Sequence, residues 1–215
     1  MTHFNENQLS EMPTRQRAQF INSLSGYKSA NLVGTIDNAG QTNLAMISSV
    51  VHLGASPALM GFIVRPNTVT RHTLENIEQT NQYTINQVNS SIWQQAHQTS
   101  ARYDKSQSEF SETGLSPFYI AGVSAPFVAE SELKYSLELQ QIIPIELNGT
   151  LFVIGKITNV ICNTSVIKQD GYIDIEAIDT VAISGLDSYH QTQRLSRLSY
   201  AKPESMTQQI PLDGM

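Results

Sequence analysis

The chain has 215 residues, of which 40% are hydrophobic and 15% charged, a balance that suits one domain with a full core and excludes a disordered chain. A net charge of −6 with a pI near 5.3 speaks against nucleic acid and against an anionic membrane surface as partners, because there is no basic excess to displace counterions. No apolar stretch approaches the ~20 residues that span a bilayer, MTHFNENQLSEMP lacks the basic-then-apolar plan of a secretory signal, and a lone Cys162 has no intramolecular disulfide partner, so the expected setting is a reducing cytoplasm.

Residues 13–24 open with Pro13 and space Ala18, Ile21 and Leu24 three apart, which predicts an amphipathic helix ending at Gly26. SANLVGTID (29–37) is a strand closed by the turn Asp37-Asn38-Ala39-Gly40. NLAMISSVVHL (43–53) follows as a second strand, and ALMGFIV (58–64) as a third after Pro57. Three strands joined by tight turns predict an antiparallel meander. Arg65-Pro66-Asn67 breaks the pattern, and Leu74 and Ile77 in a polar context predict a helix over 70–79. YTINQV (83–88) alternates as a strand, residues 90–101 read as helical, and 102–122 are polar and irregular. Long strands are expected at 133–147 and 150–162, the second carrying Cys162 as a buried, inert thiol. Residues 174–189 stay open between helix and strand, and the tail beyond Tyr189 is expected to lie across a surface. About six sizeable strands with inserted helices predict a mainly β protein built as a closed or half-closed antiparallel barrel, because closure removes exposed edges.

Residues 34–86 carry an ordered set of short motifs. Gly34-Thr35-Ile36-Asp37 ends a strand, then come Asn43-Leu44-Ala45-Met46-Ile47-Ser48, Arg71-His72-Thr73 with Asn76-Ile77, and Tyr83-Thr84-Ile85-Asn86. In that order and spacing the set resembles the flavin-reductase-like FMN-binding family. Ser108-Glu109-Phe110 with Gly114-Leu115 resembles the family's loop before the second half of the barrel. Leu186-Asp187-Ser188-Tyr189 with Tyr200-Ala201-Lys202-Pro203 resembles the tail of one subgroup. The resemblance implies a Greek-key split β-barrel over residues 1–188, a C-terminal arm over 189–215, a homodimer, and FMN as cofactor with NADH or NADPH as a candidate electron donor.

FMN brings a doubly charged phosphate and a flat, partly polar ring. The phosphate suits backbone amides at a helix start, a hydroxyl and a cation. Arg71, His72 and Thr73 stand where the predicted helix begins, and Arg65 at the end of the preceding strand is a second cation. For the ring, the resemblance implies the strand of Asn43, Ala45, Met46, Ile47 and Ser48, with Asn86 completing the candidate set. Each has a plainer reading beside it. Arg71 and His72 also suit a solvated helix, Thr70 and Thr73 are ordinary caps, and Asn86 suits a strand-end turn. Alternation sends Ser48 and Ser49 to opposite faces, so one of them at most is expected at the ring, and Ser48 matches the family. Glu109 and Phe110 read as a structural plug, and Trp93 as core or interface. The five histidines lack metal-ligand spacing.

The resemblance implies hydride transfer to the flavin ring, which needs no protein acid or base, so no catalytic residue is expected. One departure stands out. Where nicotinamide-using members carry His-x-x-x-x-Gly-x-Val, this chain has no such histidine in Asn148-Gly149-Thr150-Leu151-Phe152-Val153-Ile154-Gly155-Lys156-Ile157. The alternative reading is a non-catalytic carrier or sensor of FMN.

Overall fold

The computed structural model describes residues 1–66 and 71–214. Two helices lead, α1 (Glu6–Glu11) and α2 (Thr14–Ser23). The first was not foreseen, although Asn5 and Gln8 form a reciprocal capping box. Next come β1 (Lys28–Ser29), β2 (Asn31–Ile36), β3 (Thr42–Ile47), β4 (Val51–Ala55) and β5 (Ala58–Val64). Helix α3 (His72–Thr80) precedes β6 (Gln82–Gln87), then α4 (Trp93–Gln98) and α5 (Glu109–Thr113). The two-residue strands β7 (Pro117–Phe118) and β8 (Phe127–Val128) lead into the long hairpin of β9 (Lys134–Ile145) and β10 (Thr150–Ile161). A 3₁₀ turn (Thr164–Val166), β11 (Val181–Ser184), β12 (Ser188–Gln191), β13 (Arg197–Leu198) and β14 (Gln209–Ile210) complete the chain. No helix among the described residues is long and apolar enough to cross a membrane.

Seven strands form one antiparallel sheet in the order β3-β2-β6-β9-β10-β5-β4. The predicted meander is therefore wrong in its middle. The run 43–53 is two strands, and β3 and β4 lie on opposite edges of the sheet. Only residues 48–50 join them, so Ile47 and Val51 stand no more than about 14 Å apart. A flat sheet of seven strands would be roughly 29 Å wide. The sheet must curl strongly to bring those edges near each other, yet they do not pair, so it is curled and not closed by hydrogen bonds. Ser49 sits in that seam and exchanges hydrogen bonds with Ile63 of β5, its hydroxyl accepting from the Ile63 amide at 3.0 Å.

Alternation along β2 and β6 builds two cores back to back. Val33, Tyr83 and Ile85 face the concave side with Phe62, Leu137 and Val153. Leu32 faces outward with Leu44, Ile92, Phe110, Val181 and Ile183 beneath α4, α5 and β11. Two motif glycines are forced by close approach. A Cβ at Gly34 would lie 2.2 Å from the Pro126 carbonyl oxygen, and one at Gly155 would lie 2.2 Å from the Tyr83 hydroxyl. The expected helix over 90–101 shrinks to α4, and the open segment 174–189 resolves as a turn and the β11–β12 hairpin. Cys162 is half-buried beside Leu133, Val166 and Ile178.

The tail folds back on its own chain. Arg194 pairs with Asp174 and Glu176, and Arg197 pairs with Asp170 while lying over the Tyr172 ring at 4.4 Å. Lys202 forms an isolated bridge with Ser205. None of these cations extends toward the cavity described next.

Candidate functional site

The edge strand β3 has to satisfy one backbone donor at every second residue outside the sheet. Helix α5 covers the first part of that edge. The hydroxyls of Thr42 and Ser108 share a hydrogen bond of 2.6 Å, and the Leu44 amide donates to Glu109 Oε2 at 2.8 Å. Because Leu44 points its amide away from β2, the next outward amide on that edge belongs to Met46. Among the described residues no partner meets it. Here the edge opens on a cavity of ≈ 730 Å³.

Four elements wall the cavity. β3 and the seam contribute Ala45 to Ser49, β5 and its end contribute Phe62 to Arg65, α3 and its cap contribute Arg71, His72 and Thr73, and the segment 99–105 closes the far side. Asn22, Ile183 and Leu186 touch it from α2 and the β11–β12 hairpin. Of the residues expected at a site, all but Asn43 and Asn86 line this space. Both Ser48 and Ser49 reach it, because β3 stops at Ile47 and strict alternation stops with it.

Asn43 lies one layer back. Its Nδ2 donates to Thr73 Oγ1 at 3.0 Å, which uses a lone pair of that hydroxyl and leaves its proton for another acceptor. Asn76 likewise donates to Thr35 Oγ1 at 3.1 Å. Motif residues far apart in sequence therefore meet in pairs that dock α3 on the β2–β3 hairpin. Asn86 has a different place. It is fully buried, accepts from the Val128 amide at 2.8 Å, and donates to the Leu32 carbonyl and Thr84 Oγ1. It fastens β8 to β6 and does not reach the cavity.

Basic side chains outnumber acidic ones in the lining. Arg65, Arg71, His72, Arg102 and Lys105 line the space, against Asp104 and Glu109. Lys105 is held 3.6 Å from Glu75 on α3. Arg71 occupies the N-cap of α3 with no side-chain cap, and among the described residues its Nε is buried without a hydrogen-bond partner. A buried guanidinium donor left unpaired is costly unless a ligand meets it. Thr70, the other expected cap, lies outside the described residues. The donor set fits a ligand with a flat, polar ring at one end and an anionic group at the other.

The site also contains residues that sequence reasoning placed elsewhere. Arg102 and Lys105 fall in the stretch read as irregular, which had no periodicity to orient it. Glu109 was read as part of a plug. Phe110 is one, buried in the outer core, but Glu109 lines the cavity while its Oε2 accepts from the Leu44 amide. Burial raises its pKa, against the amides of Leu44 and Glu109 and the charge of His72, which lower it. Trp93 is neither core nor cavity; it stands partly exposed beside Tyr189.

The family described as "Flavin reductase like domain" matches residues 25–176, which hold every element of the curled sheet and of the cavity wall from β3 to α5. The chain belongs to that family. Its flavin-reductase-like relatives include a candidate flavin reductase with a split barrel domain from Shewanella frigidimarina. That structure is 57% identical, covers 94% of this chain and 100% of its own, and has a TM-score of 0.90. Nitrilotriacetate monooxygenase component B from Bacillus cereus is 18% identical, with 92% and 98% covered and a TM-score of 0.81, a likeness of fold. An uncharacterised protein of Halalkalibacterium halodurans is 28% identical over 156 residues, which are 70% of this chain and 74% of the relative. A flavin-reductase-like oxidoreductase is thus the class of the protein.

Proposed function

We propose that this protein is an FMN-dependent oxidoreductase that holds the flavin in the cavity between β3, β5 and the start of α3. The observation that carries the reading is a pairing of vacant donors, the Met46 amide on the edge of β3 and the buried Nε of Arg71. The first suits the carbonyl and nitrogen edge of a flavin ring, and the second suits a phosphate. Met46 and Ser48 would read the ring, with Ala45 giving room. Arg71, the Thr73 hydroxyl and the first amides of α3 would hold the phosphate, with Arg65 adding charge. When bound, the flavin supplies the redox chemistry by taking up and releasing two electrons, so the side chains have to bind and orient and need not transfer a proton.

NADH or NADPH is the proposed reductant. The carrier reading keeps one specific support, Thr150 at the place of the usual histidine, five residues before Gly155. Its amide and hydroxyl both donate to Asn148 Oδ1, so it shapes the β9–β10 turn. Anaerobic mixing of the flavin-loaded protein with NADH and with NADPH decides between the two. Bleaching of the oxidised flavin absorbance within seconds is the expected result. A yellow protein that neither nucleotide bleaches would leave a carrier, or an enzyme reduced by another donor.

A further inference from the structure

We propose that the Glu109 carboxylate, held on the Leu44 amide at the edge of β3, lowers the affinity of the site for reduced flavin relative to oxidised flavin. The inference rests on the flavin reading above and adds a residue that sets which redox state leaves. Glu109 Oε2 takes the Leu44 amide at 2.8 Å, and the next outward amide, that of Met46, lies two residues along the same edge. Two residues of an extended strand span about 6.8 Å. A ring acceptor at Met46 therefore sits about 7 Å from the carboxylate, across a shared cavity and with no strand between them.

Two electrons and one proton taken up by an oxidised flavin leave one additional negative charge on the ring. That charge repels a carboxylate at this distance, while the neutral oxidised ring does not. Water in a cavity this wide screens the repulsion. A weakening of about tenfold in the relative affinity of the reduced form is the expected size. The phosphate is present in both redox states, so its contacts with Arg71 and Thr73 cancel from the ratio. Glu109 is 7% exposed and is oriented by its place at the start of α5, where Ser108 is tied to Thr42. Burial raises the Glu109 pKa above the ordinary carboxylate value, and the amides of Leu44 and of Glu109 itself and the nearby His72 offset only part of that rise; the measurements below are therefore made well above the ordinary carboxylate range.

The test is the ratio of dissociation constants for reduced and oxidised FMN, equivalent to the midpoint potential of the bound flavin, in four proteins. In E109Q and E109A the charge is gone, and in E109D it remains on a shorter arm. A charge effect groups Gln with Ala. Both should favour reduced flavin by about tenfold relative to the native protein, an upward shift of about 30 mV for a two-electron couple, with Asp close to native. A purely structural role groups Gln with native, since its Oε1 still accepts from Leu44, and groups Ala with Asp; that pattern overturns the inference. An unchanged ratio in E109Q with intact binding of oxidised FMN also overturns it. Failure of the native protein to bind FMN at all is a distinct result and counts against the functional reading itself.

Discussion

Single side chains divide the motif residues into those that meet the cavity and those that hold its walls. Asn86 is the clearest of the second kind. Its amide group satisfies Val128 N, Leu32 O and Thr84 Oγ1 where it is fully buried. Asn86→Ala strands a buried amide and a buried carbonyl, which costs about 2–4 kcal/mol. A lower denaturant midpoint with unchanged FMN affinity in the folded protein is the expected outcome, and affinity loss without destabilisation would put Asn86 in the site. Placement was readable for Arg71 and Thr73, which the sequence puts at a helix start and which line the cavity there. It was not readable for Asn86, because a buried asparagine at a strand end looks the same whether it faces a ligand or a neighbouring backbone. Glu109 escaped for a related reason: its partner is a backbone amide 65 positions earlier in the chain, and nothing local marks that.

Elements carry the site by their mutual placement, above all α3 against β3. The Asn43–Thr73 hydrogen bond ties the edge of β3 to the start of α3, which in the proposed reading would meet the ring and the phosphate. Losing one such neutral bond costs about 1 kcal/mol, or roughly fivefold in affinity. Asn43→Ala is expected to weaken FMN binding about fivefold and to leave riboflavin binding unchanged, as measured by quenching of flavin fluorescence; equal losses for both would place the effect at the ring. Most strands were legible as short apolar or β-branched runs bounded by turn residues, although 31–36 and 82–87 are buried on both faces and show no in-and-out burial pattern. The seam at 48–50 was not. A continuous apolar run hides a change of direction, and pairing partners across a curled sheet leave no local trace.

At the scale of the whole molecule, the tail docks through Arg194 and Arg197 on residues 170–176, away from the cavity. Among the described residues, none beyond Leu186 lines the cavity, so a variant truncated after Gln191 is expected to bind FMN within about twofold of the full chain. The arm is held by ion pairs that depend on pH. The Arg197 hydrogen bond, helped by the Tyr172 amide, depresses the Asp170 carboxyl below its ordinary value of 3.8. A depressed carboxyl stabilises the docked form above that ordinary value and ceases to do so as pH falls through the lowered one. Amide exchange in 194–212 should therefore accelerate relative to the core only in strong acid, and R197A should show the same acceleration at neutral pH.

The most direct measurement is an FMN titration of the native protein and of a variant carrying both R71A and T73A, followed by flavin fluorescence and checked against circular dichroism. Saturable binding of one FMN per chain is expected in the native protein, with affinity lowered at least tenfold in the folded double variant. Equal FMN affinity in the two proteins, or none in the native one, would contradict the placement of the flavin between β3 and α3.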